Sequence, residues 1–194
     1  HLPDEAAPVL IKAALAHVQF ETIHPFLDGN GRLGRLLIAL LLHQGGLLTH
    51  PLLYLSLYFK QHRPTYYELL DTVRREGNWE AWVDFFLEGV EQTAQGAVQT
   101  AQRLTALFQQ DQQRLQAIGR GAANAQGLLR ALRSHPVATL KLLSSEADIT
   151  FPTASKMMQT LISLGIAREL TGQRRNRVFV YDLSLIHISE PTRP

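Results

Sequence analysis

The chain of 194 residues is 45% hydrophobic and 19% charged, a globular composition rather than a disordered one. It has no cysteine, which excludes a disulfide framework and thiolate metal sites and suits a cytoplasmic location; its longest apolar run, residues 36–42, is far short of the roughly 20 needed to span a bilayer, so no membrane is expected as a partner. The formal net charge of +2 conceals an asymmetry: residues 1–98 carry 7 Lys/Arg against 11 Asp/Glu, and residues 99–194 carry 12 against 6. A split of this kind points to two parts with different partners.

In chain order, a first long helix is expected over about residues 6–22, with Leu10, Ala14, His17 and Phe20 near one face. Residues 24–31, His-Pro-Phe-Leu-Asp-Gly-Asn-Gly, read as a loop: Pro25 biases His24 away from helix, and the glycines permit unusual backbone angles. A second helix is expected over about 32–44, with Leu33, Leu36, Leu37, Leu40 and Leu41 as a wide apolar face and Gly45-Gly46 as its stop. A short apolar helix follows over roughly 51–61, another starts at Pro64 and ends near Gly77, and a long one opens at Trp79 and reaches toward Gln113. No β-alternation interrupts this half, so it reads as all-α. Residues 116–127, rich in Gly and Ala, read as a linker. Helical patterns at 128–134, 137–144 and 153–164 then precede strand patterns at 167–170 and 177–181. Three helices and a hairpin predict a small winged helix-turn-helix domain over 128–183. The last eleven residues, 184–194, fit nothing before them and read as a non-native tail.

Residues 24–35 hold the chemistry. Gly29, Asn30 and Gly31 immediately precede a helix, where free backbone N–H groups and the helix dipole favour an anion. Arg32 and Arg35 stand three residues apart in the first turn, and a guanidinium binds phosphate through two charge-assisted hydrogen bonds. Two cations at the positive end of a helix are a local misfit unless a polyphosphate sits there. Asp28 beside bound phosphates calls for a bridging cation, for which Mg²⁺ is suited. His24, with an ordinary pKa near 6.5, suits a general base. Phe26 is expected to anchor the loop in the core. Each residue alone is commonplace; a lone His or a Gly-Asn-Gly turn is more often structural than functional.

Together they match His-x-Phe-x-(Asp/Glu)-Gly-Asn-Gly-Arg-x-x-Arg at His24, Phe26, Asp28, Gly29, Asn30, Gly31, Arg32 and Arg35. The segment resembles the Fic (filamentation induced by cAMP) domain family of protein adenylyltransferases. The likeness extends through 17–23, 53–56, 66–70 and 79–82, covering about residues 6–95. The domain reading is then a Fic catalytic core over 1–115, a mainly α helical bundle, followed by the winged domain, an arrangement similar to a bacterial subgroup. The resemblance implies transfer of AMP from ATP to a Tyr, Thr or Ser hydroxyl of a target protein, with pyrophosphate leaving. His24 is the implied base, Asp28 the implied Mg²⁺ ligand, Gly29, Asn30 and Gly31 the phosphate cradle, and Arg32 and Arg35 the holders of the leaving pyrophosphate. Gly31 favours nucleotidyl transfer over the Doc-like kinase branch, which departs from the motif at that glycine. The family's upstream β-hairpin flap and its inhibitory helix find no match, since only 23 residues precede His24, and N-terminal truncation is the simplest account.

In the second domain, 153–164 is the candidate recognition helix, with Thr153, Ser155, Lys156, Gln159 and Thr160 facing outward and Met157 and Met158 in the core. Arg174, Arg175 and Arg177 stand on the wing. DNA is a candidate partner there, and docking of proteins or of the Fic core is the other reading. A homodimer is also admitted. His43, His50 and His62 lack metal-site spacing. Two further functions stay open: a DNA-binding regulator whose Fic core senses nucleotide, and a Fic transferase that uses another nucleotide.

Overall fold

The computed structural model describes residues 7–49, 53–173 and 175–181. Helix α1 (Val9–Ile23) begins behind Pro8, whose carbonyl takes the first helical hydrogen bond from Lys12. Helix α2 (Asn30–Gln44) begins two residues earlier than its sequence pattern suggests, capped by Gly29 in the left-handed region at φ 83°. Helices α3 (Leu55–Gln61) and α4 (Arg63–Glu76) follow, α4 with Pro64 in its first turn, where a missing N–H is harmless, and with Gly77 at φ 68° as its stop. Helix α5 runs without a break from Trp79 to Gln116, and its first turn is capped by the Asn78 side chain, which accepts from the Ala81 N–H. The expected starts at Ala6 and Pro51, and also His50, lie outside the described residues.

The chain divides into two compact units, His1–Ala97 and Val98–Pro194. The division falls inside α5, upstream of the linker expected at 116–127. Of that linker, residues 122–127 are helical: they start α6 (Ala122–Ser134), behind Gly121 at φ 94°. Mean composition misleads here because Ala is the best helix former.

The core of the first unit joins Ala13, Ala14 and Val18 of α1, Ile38 and Leu42 of α2, Tyr58 and Phe59 of α3, Tyr66, Leu70 and Val73 of α4, and Trp82, Phe85 and Phe86 of α5. Trp82 is fully buried, and its indole N–H donates to the Ala14 carbonyl at 3.0 Å. Trp79, three residues earlier on α5, is exposed. Helix α2 also corrects the sequence reading: Leu33, Leu36 and Leu40 are exposed, while Gly34, Ile38 and Leu42 are buried. The helix is leucine-rich nearly all round, so no polar face marks the outside; the side that buries is the one where Gly34 lets α1 approach.

The second unit continues with β1 (Val137–Thr139), α7 (Leu140–Glu146), α8 (Phe151–Ser163), β2 (Ala167–Glu169) and β3 (Val178–Tyr181). The strands form one antiparallel sheet in the order β1-β3-β2, with Ala138 opposite Phe179 and Glu169 also opposite Phe179. Residues 137–139, read from sequence as the start of a helix, are a strand; Thr139 ends it and caps α7 by accepting from Leu142 N–H. Met157 and Met158 are buried with Leu128, Leu132, Leu143, Leu161 and Phe179. The expected end of this domain at 182–183 and the tail at 184–194 lie outside the described residues.

One buried charge stands in this second core. Asp111 on α5 has no exposed surface and accepts from the Tyr181 hydroxyl at 2.7 Å and from Arg114 at 3.2 Å. Arg114 also donates to the Leu164 carbonyl, which closes the end of α8. Tyr181→Phe removes one donor from a buried carboxylate and should destabilise the protein by about 1–3 kcal/mol, read from its urea unfolding midpoint. An unchanged midpoint would show that Arg114 alone satisfies Asp111.

Candidate functional site

The loop between α1 and α2 gathers His24 and residues 26–35. Helix α1 ends on His24, which takes left-handed angles (φ 50°, ψ 54°) and donates its backbone N–H to the Phe20 carbonyl at 3.0 Å. The imidazole is exposed. Further along, the Asn30 side chain holds the loop shut: its Oδ1 accepts from Phe26 N–H at 3.0 Å, and its Nδ2 donates to the Phe26 carbonyl at 2.5 Å. Asn30 is buried at 2% exposure, so both polar atoms of its amide serve the backbone of the loop. Phe26 itself is not the core anchor expected from sequence. Its ring is half exposed and lies 6.4 Å from that of Phe20 between centroids, outside the first core. The loop is pinned by an amide rather than by apolar burial.

The expected phosphate ligands converge at the start of α2. Asn30, Gly31 and Arg32 occupy its first turn, where backbone N–H groups lack intrahelical partners. Arg35 folds back over Gly31: a Cβ there would stand 3.1 Å from its Nη1. Arg32 lies over Gly29 in the same way, at 3.4 Å from such a Cβ. The two glycines leave open the space over which both guanidinium groups lie. Asp28 is at the rim with its carboxylate 94% exposed; Oδ1 accepts from Gly29 N–H at 2.7 Å, and Oδ2 faces Arg32 at 3.4 Å. Among the described residues no group of three or more His, Asp or Glu side chains could hold a metal by itself. A cation here would therefore have one carboxylate and otherwise ligand oxygens, the usual arrangement for Mg²⁺ on phosphates.

Beneath the loop lies a buried polar cluster. His17 is fully buried between the rings of Phe59 and Trp82 at 5.7 and 5.8 Å, and its Nε2 is 2.9 Å from the Tyr66 hydroxyl. Burial holds its pKa down at about 4, so the ring is neutral. Glu21, one turn on, is buried; loss of solvent pushes its carboxyl above the ordinary range, and His24, Arg35 and Arg74 pull it back. Both side chains press on Gly34, where a Cβ would stand 2.6 Å from Glu21 Oε1 and 3.1 Å from the His17 ring. The Fic motif leaves position 34 undefined, yet this glycine sets the spacing of α1 and α2.

Residues 1–42 match the Fic/DOC family. Over 81 residues, 42% of this chain, it is 42% identical to protein adenylyltransferase Fic of Aedes aegypti and to that of Culex quinquefasciatus, and 41% identical to that of Drosophila grimshawi. The family match and these relatives support a Fic-domain protein. It spans about 15% of the length of those curated relatives. It is also similar to the crystal structure of a Fic family protein from Desulfovibrio desulfuricans G20, at 20% identity and a TM-score of 0.49, over 98% of this chain and 52% of that one.

In the second unit the candidate recognition helix is α8. Lys156 and Gln159 are exposed, and Thr153, Ser155 and Thr160 are half-buried. Arg175 is exposed, whereas Arg177 pairs with Glu169 at 2.5 Å and lies over the Phe179 ring. Arg174 lies outside the described residues.

Two outcomes follow from the cluster under the Fic loop. Gly34→Ala gains about 0.5–1 kcal/mol of helix propensity but forces α1 and α2 apart, an overpacking cost of about 1–3 kcal/mol. The variant should melt below the wild type; a higher melting temperature would show that Glu21 yields freely. His17 titrates at a lower pH folded than unfolded, so the unfolded chain takes the proton first as pH falls. Its stabilisation is whole above pH 6.5 and is lost towards pH 4, by at most about 3 kcal/mol. Glu21, raised in the folded state, acts in the opposite sense and offsets part of the loss. His17→Asn should therefore flatten or reverse the fall in melting temperature over that range.

Proposed function

We propose that this protein is a nucleotidyltransferase that moves AMP from ATP onto a Tyr, Thr or Ser hydroxyl of a target protein. One observation carries the reading: Arg32 and Arg35 both turn their guanidinium groups over the glycines at the start of α2, on the loop that begins at His24. Two cations at the positive end of a helix repel the dipole and each other; a polyphosphate turns that cost into binding. The adenylyltransferase relatives support ATP as its source.

In this reading the exposed His24 imidazole accepts the proton of the target hydroxyl, and the oxygen attacks the α-phosphorus. The bond to the β-phosphate oxygen breaks and pyrophosphate leaves. First-turn N–H groups of α2, from Asn30 to Arg32, hold phosphate oxygens, and Gly29 and Gly31 leave them the room. Arg32 and Arg35 hold the outer phosphates as charge builds on them. Asn30 contributes by fixing the loop on which these N–H groups sit. Asp28 would hold Mg²⁺, whose chemistry is to neutralise phosphate charge.

His24→Ala should abolish labelling of protein from α-³²P-ATP while Mg²⁺-ATP binding, measured by calorimetry, stays within about threefold, since the clamps remain. Equal loss of binding would remove His24 from the role of base. Label from γ-³²P-ATP would replace the reading with phosphate transfer. Arg35→Ala should shrink the rise in melting temperature caused by Mg²⁺-ATP but not that caused by AMP, because stabilisation follows affinity and AMP lacks the outer phosphates.

The second unit supports a winged helix-turn-helix reading through its order of elements, α6-β1-α7-α8-β2-β3, and its charge of 12 Lys/Arg against 6 Asp/Glu. We propose DNA as its partner, with α8 toward the major groove. Because Arg177 is tied to Glu169, phosphate contact on the wing falls to Arg174 and Arg175. Changing those two to Ala should reduce the log–log salt slope of binding by about 0.9 per lost contact. No salt-dependent binding by the wild type to any duplex would end this reading.

A further inference from the structure

Helix α1 ends where the exposed His24 begins, so the last turn of α1 sets where the imidazole stands. The final carbonyls of any helix lack intrahelical donors. In α1 the Phe20 carbonyl is satisfied by His24 N–H, but the next carbonyl, Glu21, is satisfied from another helix: Arg74 Nη2 on α4 donates to it at 2.9 Å. Arg74 Nε also reaches Thr22 Oγ1 at 3.3 Å. The guanidinium thus grips two consecutive residues of the last turn, and its positive charge sits at the negative end of the α1 dipole. Its own base is firm: Val73 and Leu70, beside it on α4, are buried in the first core.

We infer that Arg74 is a positioning residue for His24, acting through the last turn of α1. It touches neither the motif loop's glycines nor its arginines, so it sets the base without shaping the anion site. Its fork is suited to the task because two donors reach two acceptors at once, which an ammonium cannot do as well. The buried Glu21 carboxyl adds a second tie, since Arg74 and Arg35 both act on it electrostatically from opposite helices. This inference takes from the proposed function only that His24 is the base.

The test combines hydrogen exchange with kinetics on the whole protein. Arg74→Met should speed exchange of the His24 amide by roughly tenfold or more, as for loss of a charged hydrogen bond, and leave Ala14 and Val18 amides within about twofold. It should lower kcat for AMP transfer by about tenfold at an unchanged KM for ATP. Arg74→Lys, with one compact donor group, should recover part of both. Thr22→Val, which removes one acceptor and leaves the core untouched, should speed His24 exchange to a smaller extent, and it carries the test if the Met variant does not fold. Unchanged His24 exchange in both the Lys and Val variants would overturn the inference. So would a loss of rate that only tracks the folded fraction. If the wild type transfers no AMP, the proposed function fails, while the exchange measurements still decide whether Arg74 fixes His24.

Discussion

At Gly34 helix α2 presents no side chain, and the ring of His17 and the carboxyl of Glu21 fill the space that a Cβ would take. That contact sets how near α1 and α2 lie, and the loop that joins them inherits its span. A wider spacing would stretch residues 24–29 and separate the end of one helix from the start of the other. Close helix approach usually uses apolar small residues; here the approaching groups are polar, and among the described residues Glu21 Oε1 has no hydrogen-bond partner, while the His17 ring faces the Gly34 backbone. Such groups destabilise the fold where they are buried. Their retention beneath the motif loop places costly buried groups under the proposed site, where residues selected for geometry rather than stability are expected.

The loop above is held by few but directional contacts. Leu27 is fully exposed and Phe26 half exposed, so hydrophobic burial contributes little. Asn30 replaces it with a reciprocal pair of hydrogen bonds to a single peptide position. Because Asn30 is the first residue of α2, that pair ties the loop to the helix start and orients the same first turn whose N–H groups are free. Gly29 then supplies the left-handed angle that an L-residue would resist. Fold and proposed site are one construction here: the cap of α2 is also the anion cradle of the proposed reading.

Much of this was legible in the sequence and some was not, for identifiable reasons. The eight motif residues from His24 to Arg35 are marked in the sequence by type and spacing, and their chemistry remains the proposed one; the glycine stop after α2, the Pro start of α4 and the Met157–Met158 core position are local signals that the structure bears out. The buried face of α2 was not legible, because leucines nearly encircle it and the deciding residue, Gly34, contributes by having no side chain. The strand at 137–139 was missed because three residues show too little alternation to outweigh the helical pattern that follows. Arg74 could not have been found at all: nothing in the sequence near residue 74 says that its guanidinium reaches the carbonyl of Glu21. The role of Asn30 was half legible; the motif marks it, while its turn toward Phe26 rather than outward depends on the loop closing.

Charge makes a final distinction. The part of the chain that holds the proposed anion site is net acidic, with 7 Lys/Arg against 11 Asp/Glu in residues 1–98. Long-range steering of a polyanion toward this unit is therefore unfavourable on average, and at physiological salt it is screened beyond about 8 Å in any case. Attraction for phosphate has to be local. On the proposed reading it comes from two guanidinium groups over two glycines and from the N–H groups of one helix turn, all within the span that screening leaves intact. Asp28 at the rim makes the proposed site bipolar: its carboxylate would repel a bare polyphosphate and favour one that carries a divalent cation. On the proposed reading, a site so arranged would select a metal-bearing anion by contact rather than by field, because its attraction is confined to one helix turn while the unit around it is net acidic.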